Sequence, residues 1–185
     1  MNDAQPTRDT WWKNPSWIAA ISAVLIGASA LGVSLYQAYL MHEQQRMSVW
    51  PYLAFSHNNL SDHYTYSLSN EGVGPARIQY VEIRYKGEPI RQWNELLEKT
   101  YSGKESAGVY SYLSKRVVPM NTKIDAFQLQ LGEPSKAFRL ATNDARIEVC
   151  YCSIYDDCYL YVNDADVSTQ TVASCPDNKT QIFRN

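Results

Sequence analysis

The sequence predicts a mainly β protein: an antiparallel, immunoglobulin-like β-sandwich with one helical insertion, preceded by a single N-terminal transmembrane helix. Three observations carry this expectation. Residues 14–41 contain no Asp, Glu, Lys, Arg or His. Beyond Tyr52, short runs of period-two alternation bounded by Gly, Pro, Asn or Asp fill most of the chain. Fourteen tyrosines and five tryptophans in 185 residues make an aromatic load suited to half-buried strands and wet interfaces. A small barrel is the alternative architecture.

In chain order, residues 1–15 form a short N-terminal segment, 16–40 the membrane helix, 41–50 a polar helical stalk and 51–185 the β domain. The stretch "SWIAAISAVLIGASALGVSLYQAYL" is 25 residues long. A bilayer core needs only ~20 helical residues, so it spans with some tilt. Trp11, Trp12 and Trp17 at one end, and Tyr36 and Tyr39 at the other, are side chains that settle at headgroup level. Asn14 and Pro15 supply an N-cap and a proline at the first helical position. No proline follows until Pro51, so "MHEQQRMSV" can continue the helix out of the lipid.

Ala28-Ser29-Ala30 fits a signal-peptidase site, but the apolar run continues ten residues past Ala30, which favours a retained anchor. Ala23/Gly27 and Ala28/Gly32 are small-xxx-small pairs that would let a second copy approach through the membrane helix, although small residues are also common in spans generally. Arg8 and Lys13 precede the span and only Arg46 closely follows it. That bias puts the large C-terminal part outside, which in a Gram-negative cell means an inner-membrane protein with a periplasmic domain.

Within the domain, "HYTYSLSN" alternates Tyr64, Tyr66 and Leu68 against Thr65 and Ser67, and "RIQYVEIRYKG" sets Val81, Ile83 and Tyr85 against Glu82, Arg84 and Lys86. "KRVVPMNTKIDAFQLQL" holds two short runs, with Ile124, Ala126 or Phe127, and Leu129 inward. "RIEVCYCSIY" and "CYLYVND" read as a hairpin. "PIRQWNELLEKTYSG" is the one helical insertion, with Ile90, Trp93, Leu96 and Leu97 at helical spacing and Gly103 as its stop. "GKESAGVYSYLS" lacks a period and reads as a loop, and the tail after Asp164 reads as irregular except where Cys175 pins it.

"SLSNEGVGPARI" fails as a phosphate cradle. It has neither the third glycine of a dinucleotide fingerprint nor the Lys-Ser/Thr of a P-loop. It reads as a strand-to-strand corner in which Asn70 and the glycines can adopt positive φ, while Pro75 fixes its own φ and ends the ladder. The succession of anchor, stalk, "SVWPYLAF" and "LSNEGVGPARI", with the Cys-rich hairpin behind it, resembles uncharacterised bacterial single-pass membrane proteins with a small β-rich soluble domain. The similarity covers most of the chain, and it implies no activity.

Cys150, Cys152, Cys158 and Cys175 are the disulfide candidates. Cys150 and Cys152 share one face of a strand, and a turn at Tyr155-Asp156 puts Cys152 opposite, or one register step from, Cys158. Cys175 is then left for Cys150, although four cysteines allow three pairings and the sequence leaves the choice open. An even count predicts disulfides in an oxidising compartment. The competing readings are free structural thiols, a zinc site, whose usual C-x₂₋₄-C knuckles are not the C-x-C seen here, and redox catalysis, which favours C-x-x-C at a helix N-terminus.

No metal or cofactor is expected. Asp164 and Asp166 in "NDADVS" lack the turn glycine and distant glutamate of a calcium loop. His57 and His63 flank "NNLSD" without an identified partner. A net charge of −2 excludes the basic field that nucleic-acid binding uses.

The function expected is therefore non-enzymatic: a membrane-anchored module that binds a protein or envelope component. Tyr110, Tyr112, Tyr155, Tyr159 and Tyr161, with Tyr151, are the candidate contact surface, the alternative being that half of them are core. Two other functions compete. With the topology reversed, the domain would be a cytoplasmic sensing or regulatory subunit of a membrane effector. A thiol-dependent redox enzyme would need an exposed low-pKa thiolate.

Overall fold

The computed structural model describes residues 15–60, 62–102, 108–163, 169–176 and 183–184. Asn14, the charges at Arg8 and Lys13, Trp11, Trp12, Gly103 and the Asp164/Asp166 cluster lie outside the described residues. The chain divides into two units, one ending at Gln45 and the other beginning at Arg46.

Helix α1, Pro15–Met47, has 33 residues, none of them buried. It is the one helix among the described residues long and apolar enough to cross a membrane. It contains the whole expected span and continues through the stalk, but it stops at Met47 rather than running to residue 50. Pro51 accounts for part of this, because it disfavours the helical conformation in the residue before it. Three hydroxyls within α1 bond back to their own backbone: Ser22 to Ile18 O, Ser29 to Leu25 O and Ser34 to Ala30 O, each at 2.8–2.9 Å. Each bond satisfies the hydroxyl within the helix itself, on the carbonyl one turn back.

The second unit is mainly β. Its elements are β1 Leu53–Leu60, β2 His63–Asn70, β3 Ala76–Tyr85, β4 Glu88–Pro89, helix α2 Trp93–Thr100, β5 Val109–Tyr110, β6 Val117–Val118 and β7 Lys123–Gln130. Helix α3 Glu133–Asp144, β8 Arg146–Cys152, β9 Cys158–Val162 and β10 Thr169–Val172 follow. Two antiparallel sheets result, ordered β1-β2-β7-β5 and β10-β9-β8-β3-β4, with β6 also on β3. Neither sheet closes into a barrel among the described residues.

Two expectations need correction. The domain has a second helix, α3, where only one insertion was expected. Pro134 in its first turn suits a helix start, the Ser135 hydroxyl accepts from Gly132 N–H, and Phe138, Ala141 and Thr142 bury one face at 3–4 spacing. The tail is also not wholly irregular: "TQTV" pairs antiparallel with β9, Thr169 opposite Tyr161.

The alternation in β7 resolves through a β-bulge. Tyr66 pairs with Phe127 but Ser67 with Asp125, leaving Ala126 unopposed. An extra residue flips the parity, so Ile124 and Ala126 point inward before the bulge and Phe127 and Leu129 after it. The core is contiguous across both sheets and both helices of the unit. At its centre Trp93 of α2 meets Phe183 at 5.1 Å and Phe138 of α3 at 6.0 Å between ring centroids, and Phe138 meets Phe127 of β7 at 4.6 Å. Sheet meets sheet where Phe55 of β1 lies 5.6 Å from Tyr161 of β9, and where Leu53 N–H donates to the Tyr151 hydroxyl of β8 at 3.3 Å.

Candidate functional site

Two features of the domain hold distant chain segments together. The first is the cysteine cluster. On β8, Ile147, Val149 and Tyr151 enter the core, so Cys150 and Cys152 share the opposite face. Cys152 lies directly across from Cys158 in the β8–β9 ladder, with Cα atoms 4.0 Å apart, and the two are disulfide-bonded. Direct cross-strand pairing is what brings the two side chains together. The turn between them is built on Ser153: its N–H donates to Asp157 O at 2.8 Å and its hydroxyl accepts from Tyr155 N–H at 3.1 Å. Asp156 takes the left-handed conformation, φ 63°, that Asp tolerates better than most residues.

Cys150 bonds Cys175, with Cα atoms 5.6 Å apart, and so fastens the tail beyond β10 to the sheet. All four cysteines are thereby paired, in the arrangement that hairpin geometry made most direct. The two bridges also touch, Cys152 Sγ lying 3.8 Å from Cys175 Sγ. Arg77 of β3 is the cross-strand partner of Cys152, so it shares that face. Its guanidinium pairs with Asp156, while its Nε is buried without a hydrogen-bond partner.

The second feature is Asn70, which sequence reasoning placed only as a turn residue. Its side chain is buried and uses both ends of the amide. Oδ1 accepts from Tyr52 N–H at 3.2 Å and Gly72 N–H at 3.1 Å; Nδ2 donates to Gly74 O at 2.8 Å and Val118 O at 3.0 Å. Its backbone N–H reaches Thr122 O, and its carbonyl accepts from Asn121 N–H, both at 3.0 Å.

This network brings the chain entering the domain against the 71–75 corner, where Val73 N–H donates to Trp50 O at 2.9 Å. The glycines serve that approach. A Cβ on Gly74 would stand 1.9 Å from Val49 O, and one on Gly72 would stand 2.4 Å from Trp50 O. Neither glycine, nor Asn70, has positive φ; Gly87 and Asn121 do. The corner was foreseen, but its glycines are required for lack of a side chain rather than for handedness.

Close in sequence to the residues that bond Asn70, four large apolar side chains are exposed: Trp50 (44%), Val73 (57%), Val117 (54%) and Met120 (52%). The candidate tyrosines do not form one surface. Tyr112 is exposed, Tyr110, Tyr155 and Tyr159 are half-buried, and Tyr161 and Tyr151 are buried. Tyr110 belongs to the β5 edge of the first sheet, where its ring meets Tyr112 edge-on at 5.9 Å. Tyr155 and Tyr159 belong to the β8–β9 hairpin of the second sheet, with Tyr159 stacked on Tyr151 at 5.6 Å. Tyr151 and Tyr161 instead serve the fold: burial raises both phenol pKa values, the Tyr151 hydroxyl accepts from Leu53 N–H, and the Tyr161 ring packs on Phe55 of β1. As contact residues these two are withdrawn.

His57 and His63 are not a pair. In the β1–β2 ladder His57 faces Tyr66, while His63 sits opposite Leu60, on the other face. His57 Nδ1 bonds the Tyr64 hydroxyl at 2.6 Å. Burial, and then the charge of Arg139, hold its pKa below the usual histidine value. Burial pushes the Tyr64 phenol up to about 12. This hydrogen bond is half-buried and joins neighbouring strands, and His63 bonds the neighbouring Asp62 at 2.5 Å.

No family model matches the chain, and no curated protein matches it.

Proposed function

We propose that this chain is a membrane-tethered, non-enzymatic binding module. In this reading α1 stays in the inner membrane and the two sheets, taken as an immunoglobulin-like sandwich, stand in the periplasm. The observation that carries the reading is the set of exposed side chains Trp50, Val73, Val117 and Met120, on three chain segments that the Asn70 hydrogen bonds tie together. Apolar side chains scattered singly on a surface need no explanation, but several around one fixed point suit a partner of complementary shape. Rigidity matters because a preorganised surface loses little conformational entropy on association. Two disulfides and the charge bias around α1 support the exported orientation.

The test is site-specific photo-crosslinking in living cells. A photoreactive residue at Val73 or Met120 should give adducts of discrete mass that are absent when it stands at Leu140, which is more exposed, on α3. Equal or absent adducts at all three positions would remove the contact surface from the account.

A further inference from the structure

The two disulfides lie side by side, and that proximity is more than two independent staples require. Sγ atoms of Cys152, Cys158 and Cys175 all lie within 4.8 Å of one another, and the fourth sulfur, of Cys150, is bonded to Cys175. A tetrahedral zinc tetrathiolate with Zn–S near ~2.3 Å has S···S edges of about 3.8 Å. The non-bonded Cys152–Cys175 separation is already 3.8 Å. When a disulfide is reduced its two sulfurs part to non-bonded contact, which brings the bonded edges toward that same length.

The charge environment fits as well. Four thiolates around a divalent ion carry a net charge of −2. Arg77 stands next to Cys152 across the ladder and carries a buried Nε–H with no acceptor. A metal-bound thiolate is the kind of acceptor such a donor lacks.

We propose that the reduced form of this cluster is a binding site for one soft divalent metal ion, zinc in type, with Cys150, Cys152, Cys158 and Cys175 as ligands and Arg77 as the neighbouring cation. The redox step balances with a dithiol reductant. Each protein disulfide takes up two electrons and two protons and becomes two thiols, while the dithiol becomes a disulfide. The metal ion then displaces four protons from the four thiols. The same side chains would thus hold the tail covalently when oxidised and through the metal when reduced. The site uses no residue of the proposed contact surface, so the two ideas stand or fall separately.

Full-length protein in detergent micelles, reduced without oxygen by a phosphine, is titrated with Co²⁺ and then with Zn²⁺. The expected result is an endpoint at one equivalent with the visible absorption of tetrahedral cobalt–thiolate. Zn²⁺ should displace the cobalt, and the near-ultraviolet dichroism of the tyrosine-rich core should match that of the oxidised protein. The double variant C150S/C175S, which keeps two thiols, should lose the endpoint, and R77Q should bind about 10–100-fold more weakly. Absence of a one-equivalent endpoint would overturn the proposal, whether or not the reduced chain stays folded. So would an endpoint that survives in C150S/C175S, or metal uptake without the core dichroism.

Discussion

Asn70 and the cysteine cluster solve one problem in two ways. Each fastens segments far apart in the chain: Asn70 joins residues 52, 72, 74, 118, 121 and 122, and the cysteines join β8, β9 and the tail. The disulfides act mainly on the unfolded chain, by limiting how far it can open. The asparagine acts only in the folded state, where its loss would leave several buried backbone groups without partners. The first kind of fastening depends on redox conditions and the second does not.

The contrast is broken most severely at Asn70. Asn70→Ala removes a hydrogen-bond partner from Tyr52 N–H, Gly72 N–H, Gly74 O and Val118 O, and should cost about 4 kcal/mol of unfolding free energy. Gly74→Ala, which drives a methyl group into Val49 O, should be comparable, and neither loss should change on adding reductant. Denaturant unfolding of the full chain in micelles, followed by tryptophan fluorescence, reads both. The bridges come next. Loop closure predicts about 3.5 kcal/mol for Cys150–Cys175, whose ends are 25 positions apart, against about 2 kcal/mol for Cys152–Cys158, 6 positions apart. Paired Cys→Ser variants compared without reductant should rank in that order.

Tyr151→Phe sharpens the view of how the sheets are joined. It removes the acceptor for Leu53 N–H and should cost about 1 kcal/mol in the same assay, with the ring packing intact. The smallest effect is the pH dependence of His57. Its folded pKa is lowered, so between that value and the ordinary 6.5 the unfolded chain binds more protons than the folded one. The stability it contributes is complete above pH 6.5 and is lost as pH falls through 6.5 toward the folded value. Arg139 strengthens the trend, and Asn143, which hydrogen-bonds the ring, opposes it. Denaturant midpoints should drop on going from pH 8 to pH 5.5, and His57→Phe should flatten the drop.

Much of this fold was legible because its signals are local. An uncharged run long enough to cross lipid shows itself, and so do the alternation of β2 and β3 and the two-residue spacing of Cys150 and Cys152. Helix α3 was missed because "EPSKAFRLATND" carries few apolar residues, so its buried stripe of Phe138, Ala141 and Thr142 is thin. The β7 bulge left two parities open, since alternation cannot reveal where an extra residue sits. Asn70 was recognised as a turn former and not as a knot, because its partners lie up to 52 positions away and only tertiary structure brings them to one amide. The tyrosines misled for a related reason: Tyr151 and Tyr159 neighbour each other across the hairpin, yet one is buried and the other half-exposed. Arg77 gave no signal at all, since its importance rests on its register with Cys152.

The exported, disulfide-fastened state is the premise behind the contact surface and the order of the bridge variants. Differential alkylation reads it directly. Cells are quenched in acid, membranes that resist alkaline extraction are collected, and the full-length chain is labelled before and after reduction for mass spectrometry. The account predicts no labelled cysteine before reductant and four after it. Four labelled cysteines before reductant, or a chain found only in the alkaline supernatant, would contradict it.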